Sequence, residues 1–399
     1  MKKPLAGVRV LDLTHMLSGP YGAMILADLG AETIKVEPLH GEGTRKLLAT
    51  DPDNSLDGMG AYFITLNRNK QSVAIDLKSN QGREQFYRLV EQSDIVISNF
   101  GAGVPERLGI DFQSLSEVNP RIITCTVTGF GSDGPSCKRP AFDQVAQATG
   151  GGMSITGADP ENPVRAGIPI GDLGGGMFGV MGVLAALYER EQSGTGQHVD
   201  ISMLDCQISL LNYMATMHFL SGQDPYPIGN SHFVHVPYNT FRCSDGFIVI
   251  AVITDNFWQN LKEVVCCPEF DDPELDGQPG RWAARDTINH HLNAILSKNT
   301  CDHWLQQLEE KRIPCAPVNK LSQALRDPQV QHRNMVVDLP HPNGGSTQGP
   351  GNPIKLSRTG EETFSPAPLL GQHTDQVFSE LLGYSQSEIE ALKSEGVIA

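Results

Sequence analysis

The eight cysteines form no C-x-x-C pair and no Cys/His zinc spacing; they stand scattered at 125, 137, 206, 243, 266, 267, 301 and 315. This excludes a disulfide framework readable from sequence and implies free thiols in a reducing compartment. The histidines have no acidic or cysteine partners at ligand spacing, so no metal is expected. The N-terminus lacks an apolar signal core and no later stretch reads as long enough to span a bilayer, so a cytoplasmic protein without a membrane partner is expected. Positive charge is in deficit: 30 Lys and Arg against 46 Asp and Glu leave a formal net charge of −16. That argues against nucleic acid as a partner, although a small anionic ligand needs only a few local cations. There is no G-x-x-x-x-G-K-[ST], no G-x-S-x-G and no H-E-x-x-H, which speaks against a P-loop enzyme, an α/β-hydrolase and a zincin. No internal repeat or low-complexity tract is visible.

A chain of 399 residues is long for one core, and two domains are the prior. Val8–Thr14 reads as a buried strand, Pro20–Leu29 as a helix with proline near its start and Gly30 at its end, and Thr33–Glu37 as a second strand. Val73–Leu77, Ile95–Asn99, Arg121–Val127 and Gln197–Ser202 continue the strand pattern. Helices are expected over 80–92, 142–150, 177–191 and 203–220. This alternation implies an α/β fold, an open, doubly wound sheet of Rossmann-like type. The texture changes near 222–227. Tyr238–Ala251 reads as a β-hairpin turning at Ser-Asp-Gly, with helices near 255–265, 281–297 and 301–311. Residues 1–224 therefore read as a large domain and 225–325 as a smaller α+β domain. Residues 335–372 look loop-rich and 374–395 helical.

The stretch that concentrates chemistry is Ile168–Gly179. Asp172 stands at the mouth of a glycine run, just before a small-residue helix read as Gly174–Glu191. A helix start offers free N–H groups that favour negative charge, and Asp172 could serve simply as a cap. Two matches to G-x-G-x-x-G, at 129–134 and 174–179, lack the required context. The first runs into Pro135 and the second has no clear strand before it, so no NAD site is expected. Arg45, Arg68, Lys70, Arg107, Lys138 and Arg139 fall in loops near strand ends, where ligands of α/β sheets collect, and would suit a phosphorylated ligand. His232 and His235 lie in an irregular segment that could line a cleft, while His290 and His291 read as surface of a polar helix.

Read together, Pro4–Thr14, Ala27–Glu37, Leu66–Val73, Asp94–Phe100, Gly194–Asp200 and Pro368–Asp375 resemble, in order, the segments of the CaiB–BaiF family, the family III CoA-transferases. The resemblance implies an enzyme that uses acyl-CoA as substrate and an interlocked homodimer. It also implies a large domain built from both chain ends, with 326–399 as the returning segment. Asp172 falls on the family's transferase nucleophile, and the Gly174 and Gly175 N–H groups would be oxyanion donors. Asp143 would be a second carboxylate that orients substrate. His15, Met16, Leu17 and Ser18 would line the CoA site through backbone. Lys70, Asn99, Phe100, Arg107 and Lys138, with Arg45 nearby, would meet the adenine and phosphates. His232, His235 and Tyr238 would contribute to acyl specificity.

The family also holds α-methylacyl-CoA racemases, which need a histidine in a Gly-His-Asp motif. Here the matching triplet is Ala141-Phe142-Asp143, and phenylalanine cannot carry a proton. The substitution favours transferase over racemase or epimerase, and the intact Asp172 speaks against a CoA-binding regulatory protein of the same fold. Pro38 replaces the arginine that formyl-CoA transferase has after its Lys-Ile-Glu, and that enzyme's glycine loop is absent. The resemblance therefore leans toward a succinyl-CoA-like donor and dicarboxylic acids such as succinate, mesaconate or glutarate.

Overall fold

A computed structural model describes residues 3–360 and 362–399. They form two compact units, one of residues up to 152, 165–223 and 329–399, the other of 153–164 and 224–328. The sequence pattern places 153–164 with the large domain. The structure groups it with the second unit, where Gly229 N–H donates to Gly157 O at 2.8 Å.

The first unit is built on six strands: β1 (Arg9–Asp12), β2 (Glu32–Glu37), β3 (Lys70–Ala74), β4 (Ile95–Ser98), β5 (Ile123–Thr128) and β6 (His198–Ser202). They pair in the order β3-β2-β1-β4-β5-β6, every neighbour parallel. Val10, Leu11, Ile34, Val73, Ile95, Ile97 and Ile123 are all buried, as expected for strands covered on both faces. The order reverses between β1 and β4. In such sheets this reversal opens a crevice at the strand carboxyl ends.

Helices α1 (Ser18–Asp28), α2 (Asn80–Glu91), α3 (Asp143–Thr149), α4 (Ile170–Ser193), α5 (Met203–Leu211) and α6 (Tyr213–Ser221) complete the frame. The single helix expected over 203–220 is two, because Asn212 takes φ 48°, a left-handed value that asparagine tolerates better than most residues. α4 starts four residues earlier than the sequence suggested. At 24 residues it is long and apolar enough to cross a membrane by length and composition, which corrects the reading that no such stretch exists. Its small residues are used for packing. A Cβ on Gly176 would stand 2.6 Å from Ser18 O and 3.2 Å from Gly22 N, so the α1 and α4 backbones touch where only glycine fits. Behind the sheet edge, β3 is closed by the chain's end. His373 N donates to Ser72 O at 2.9 Å, Asp76 N to Val397 O at 2.9 Å, and Ile75 bridges Ile398. This covers backbone that an edge strand would expose. Within the stretch read as loop, Val336–Pro340 and Ser346–Pro350 form an antiparallel hairpin.

The second unit has a three-stranded antiparallel sheet: β7 (Tyr238–Arg242), β8 (Phe247–Ala251) and β9 (Cys315–Pro317), in the order β9-β8-β7. Helices α7 (Asp255–Val265), α8 (Arg285–Leu296) and α9 (Cys301–Glu310) pack around Phe241, Trp258, Leu261, Ile288, Leu292 and Leu308. Thr254 and Thr300 cap α7 and α9 with their side chains.

Candidate active site

The crevice between β1 and β4 is shaped by its backbone. Asn99, just past β4, accepts from His15 N at 2.9 Å and donates to His15 O at 2.7 Å, clamping the loop after β1. Beneath that loop Asp12 is fully buried. It accepts from Lys70 Nζ at 2.8 Å and from Thr14 N at 2.9 Å, while buried Lys35 holds Thr14 O at 2.8 Å. Burial works against the Asp12 charge, but the Lys70 and Lys35 ammonium groups win and hold its carboxyl below the usual value. The loop then makes a left-handed step at Met16, φ 62°, and enters α1. No side chain caps α1, no acid lies in its first turn, and among the described residues the N–H groups of Met16, Leu17, Ser18 and Gly19 find no acceptor. This is an open anion site at a helix N-terminus.

A cavity of about 270 Å3 lies over Met16, Leu17 and Ser18, lined also by His15, Asn99, Phe100, Thr128, Cys137, Arg139, Phe142 and Asp172, among others. Asp172 sits in the first turn of α4, whose N-cap is Pro169, so it is not the helix cap. The capping is done by Asp143. Its Oδ1 accepts from Gly171 N at 2.8 Å and Asp172 N at 3.3 Å, and its Oδ2 accepts from Gln147 Nε2 at 2.7 Å. Ser18 Oγ donates to the Asp172 backbone carbonyl at 2.7 Å. The Asp172 carboxylate itself accepts no hydrogen bond among the described residues. Burial, then the negative charge of Asp143, pushes its pKa up from 3.8 to about 6. Tyr62, which the sequence reading missed, feels the same field. Burial and the charges of Asp172, Glu42 and Asp143 raise its hydroxyl to about 12, so it remains a proton donor.

The glycine run does not do what the sequence suggested. Because α4 begins at Ile170, the Gly174 and Gly175 N–H groups lie inside the helix, where i→i−4 bonding commits them to Ile170 and Gly171. The open N–H groups belong to α1 instead. A second, mostly apolar cavity of about 360 Å3 adjoins the first. It shares His15, Met16 and Phe100 and is walled by Leu13, Val36, Pro38, Ile75, Leu77 and Leu108.

A family model described as CoA-transferase family III matches residues 5–374. The chain belongs to that family. It is 37% identical to the acetyl-CoA:oxalate CoA-transferase of Acetobacter aceti, over 89% of this chain and 90% of that one. It is 33% identical to the succinyl-CoA:glutarate CoA-transferase of Mus musculus, over 99% and 90%. Among solved structures it is similar to a CaiB/BaiF family protein from Brucella suis, with TM-score 0.86 and 33% identity, over 96% of this chain and all of that one.

The family's acyl-CoA substrate brings the cations into question, and the structure sorts them. Lys70 has three ammonium protons and three acceptors, Asp12 Oδ2 at 2.8 Å, Pro20 O at 3.1 Å and Asn67 Oδ1 at 3.1 Å, all buried. It therefore has no proton left for a phosphate, contrary to the sequence expectation. Arg45 is spent as well: Nε and Nη2 bind Glu37 at 2.6 Å each, Nη1 reaches Pro368 O, and the guanidinium covers Phe63. Arg68 likewise pairs with buried Asp28. Arg107 and Lys138 are exposed and line neither cavity. The cation that lines the Asp172 cavity is Arg139, held over the Phe130 ring at 4.8 Å, and Lys78 lines the apolar one. Neither is distinguishable by sequence from its neighbours.

In the second unit His232, His235 and Tyr238 cluster, with His232 stacked on Tyr238 at 5.1 Å and 4.8 Å from His235. Sequence spacing shows no metal-ligand set, but among the described residues folding brings one candidate cluster together. It consists of Cys267, Glu269 and His291, their ligand atoms within 4.8 Å, although His291 had read as plain surface.

Proposed function

We propose that this transferase moves CoA from an acyl-CoA, succinyl-CoA-like, to a dicarboxylic acid, with Asp172 as covalent nucleophile. The observation that carries this reading is an unpaired Asp172 carboxylate beside the open N–H groups of α1. An Asp172 oxygen attacks the thioester carbon, the C–S bond breaks, and CoA thiolate leaves an aspartyl anhydride. The thiolate then attacks the Asp172 acyl carbon, releasing the donor acid and forming an aspartyl-CoA thioester. The acceptor carboxylate repeats these steps in reverse, so the thioester energy passes on without hydrolysis. Negative charge develops on the carbonyl oxygens, and the N–H groups of Met16–Gly19 are the donors suited to it. Asp143 keeps α4 capped and, by its charge, keeps Asp172 basic. CoA is long, and the two adjoining cavities match its ends: the acyl group by Asp172, and adenine in the apolar pocket floored by Phe100, with Asn99 fixing the loop between. Arg139 and Lys78 are the cations placed for its phosphates, with Arg107 and Lys138 on the surface beyond.

Relatives that act on oxalate and on glutarate support a dicarboxylic acceptor without fixing its length. The exposed apolar faces of α4 and α6 support a homodimer, interlocked as the family resemblance implies. Tyr188 is 74% exposed, and Phe219 and Leu220 are each 83% exposed. The free cysteines fit a cytoplasmic setting. Incubation with succinyl-CoA followed by intact-protein mass spectrometry tests the reading. A CoA-sized, hydroxylamine-labile adduct is expected on the wild type and not on Asp172→Ala. Its absence across several acyl-CoAs, together with exchange of the substrate α-proton for solvent deuterium, would favour racemase chemistry instead.

A further inference from the structure

The second unit carries a half-open cavity of about 230 Å3, lined in part by His235, Tyr238, Trp282, Arg285, Asp286 and Asn289. One wall is fixed. His232 Nδ1 accepts from Val234 N at 3.0 Å and His235 N at 3.1 Å, and its ring stacks on Tyr238, so His232 is spent on holding the segment. Burial, then neighbouring His235, lowers its pKa, which keeps that acceptor nitrogen unprotonated.

Two other lining residues are left unsatisfied. His235 Nδ1 and Asn289 Oδ1 are both buried with no hydrogen-bond partner. The Asn289 amide nitrogen makes no hydrogen bond among the described residues either. Unpaired buried polar atoms are rare and costly, and two in residues of one cavity mark side chains free to turn onto a ligand. An imidazole N–H and an amide NH2 are both donors once turned. The third group is a cation: the Arg285 guanidinium is held over the Trp282 ring at 5.0 Å. Among the described residues its carboxylate partner is Asp286, 3.7 Å away with a side chain 91% exposed, so the arginine is weakly neutralised.

We propose that this cavity binds one carboxylate group of a small carboxylic acid, with His235, Asn289 and Arg285 as donors. The class of acid rests on the proposed function. The pocket itself does not, because its orphaned atoms and its cation belong to the second unit alone.

Calorimetric titration of the full-length protein, free of CoA, with glutarate and with its uncharged analogue glutaramide tests this. Saturable glutarate binding is expected, with glutaramide at least about tenfold weaker. Asn289→Ala, and separately the exposed change Arg285→Gln, should each weaken glutarate by about tenfold or more, as loss of one charge-assisted hydrogen bond would. Melting temperatures report whether each variant is folded. Asp172→Asn should bind glutarate as the wild type does, which separates this site from the catalytic one. The proposal is overturned if glutarate does not bind, if glutaramide binds equally, or if both second-unit variants bind normally. It is also overturned if Arg139→Gln or Asp172→Asn abolishes binding, and that last result would leave the Asp172 mechanism standing.

Discussion

Replacing Asp172 by asparagine should stabilise the protein while abolishing transfer. In the folded chain the Asp172 carboxyl holds its proton to about pH 6, against 3.8 ordinarily. Folding therefore favours the protonated form. The full benefit is present below pH 3.8, is lost as the pH rises, and is gone above about pH 6. The gap of about two pH units corresponds to about 3 kcal/mol, which solvent in the open cavity reduces to about 2 kcal/mol. Asparagine has the shape of the acid but never ionises. At pH 7.5 the variant should melt several degrees above the wild type, since about 2–4 °C accompanies each kcal/mol in a large domain. At pH 4 the two should melt within about 1–2 °C of each other, on the same scale. Transfer should fall at least about a thousandfold. Scanning calorimetry across this range, with a CoA-exchange assay on the same samples, makes the comparison. A variant less stable at pH 7.5, or equally offset at both pH values, would refute the claim that an unpaired, field-strained carboxylate occupies this position.

Three further outcomes follow from packing and charge. Lys70→Met should destabilise by about 3–5 kcal/mol, because it strands the buried Asp12 charge; a loss of CoA affinity with unchanged denaturant midpoint would instead return Lys70 to phosphate binding. Gly176→Ala puts a methyl 2.6 Å from Ser18 O and should cost about 1–3 kcal/mol in chemical denaturation, while a neutral result would contradict the close α1–α4 contact. Arg139→Gln should raise KM for the acyl-CoA by about tenfold with the melting temperature unchanged, and an unaltered KM would remove Arg139 from the site.

The parallel sheet was legible because β1, β4 and β5 are short apolar runs bounded by turn residues. The hairpin at 336–350 was not, because Ser346–Pro350 carries proline and glycine where strands usually alternate apolar and polar residues. Asp172, the His15–Ser18 loop, Asn99 and Phe100 were all named from sequence, and the structure gathers them around one cavity. Lys70 and Arg45 were misassigned for a physical reason: a basic residue near a strand end looks the same whether it faces a ligand or a buried acid. Asp12 and Glu37 lie within strands, where nothing in their spacing reveals that Lys70 and Arg45 neutralise them. The glycine run misled because glycine serves close packing as readily as open backbone, and the choice depended on α4 starting at Ile170.

The central claim, covalent catalysis by Asp172, is tested most directly by following oxygen. The acceptor acid, labelled with 18O in its carboxylate, is incubated with enzyme and acyl-CoA, and the protein is digested with trypsin. Forming and breaking the anhydride transfers acceptor oxygen into the nucleophile's carboxylate. Asp172 falls in the tryptic peptide 166–190 and Asp143 in 139–165, so the two acids separate. A mass gain of 2 or 4 Da in 166–190 alone is the predicted result. Turnover with no label in that peptide, or with the label in 139–165, would contradict the assignment.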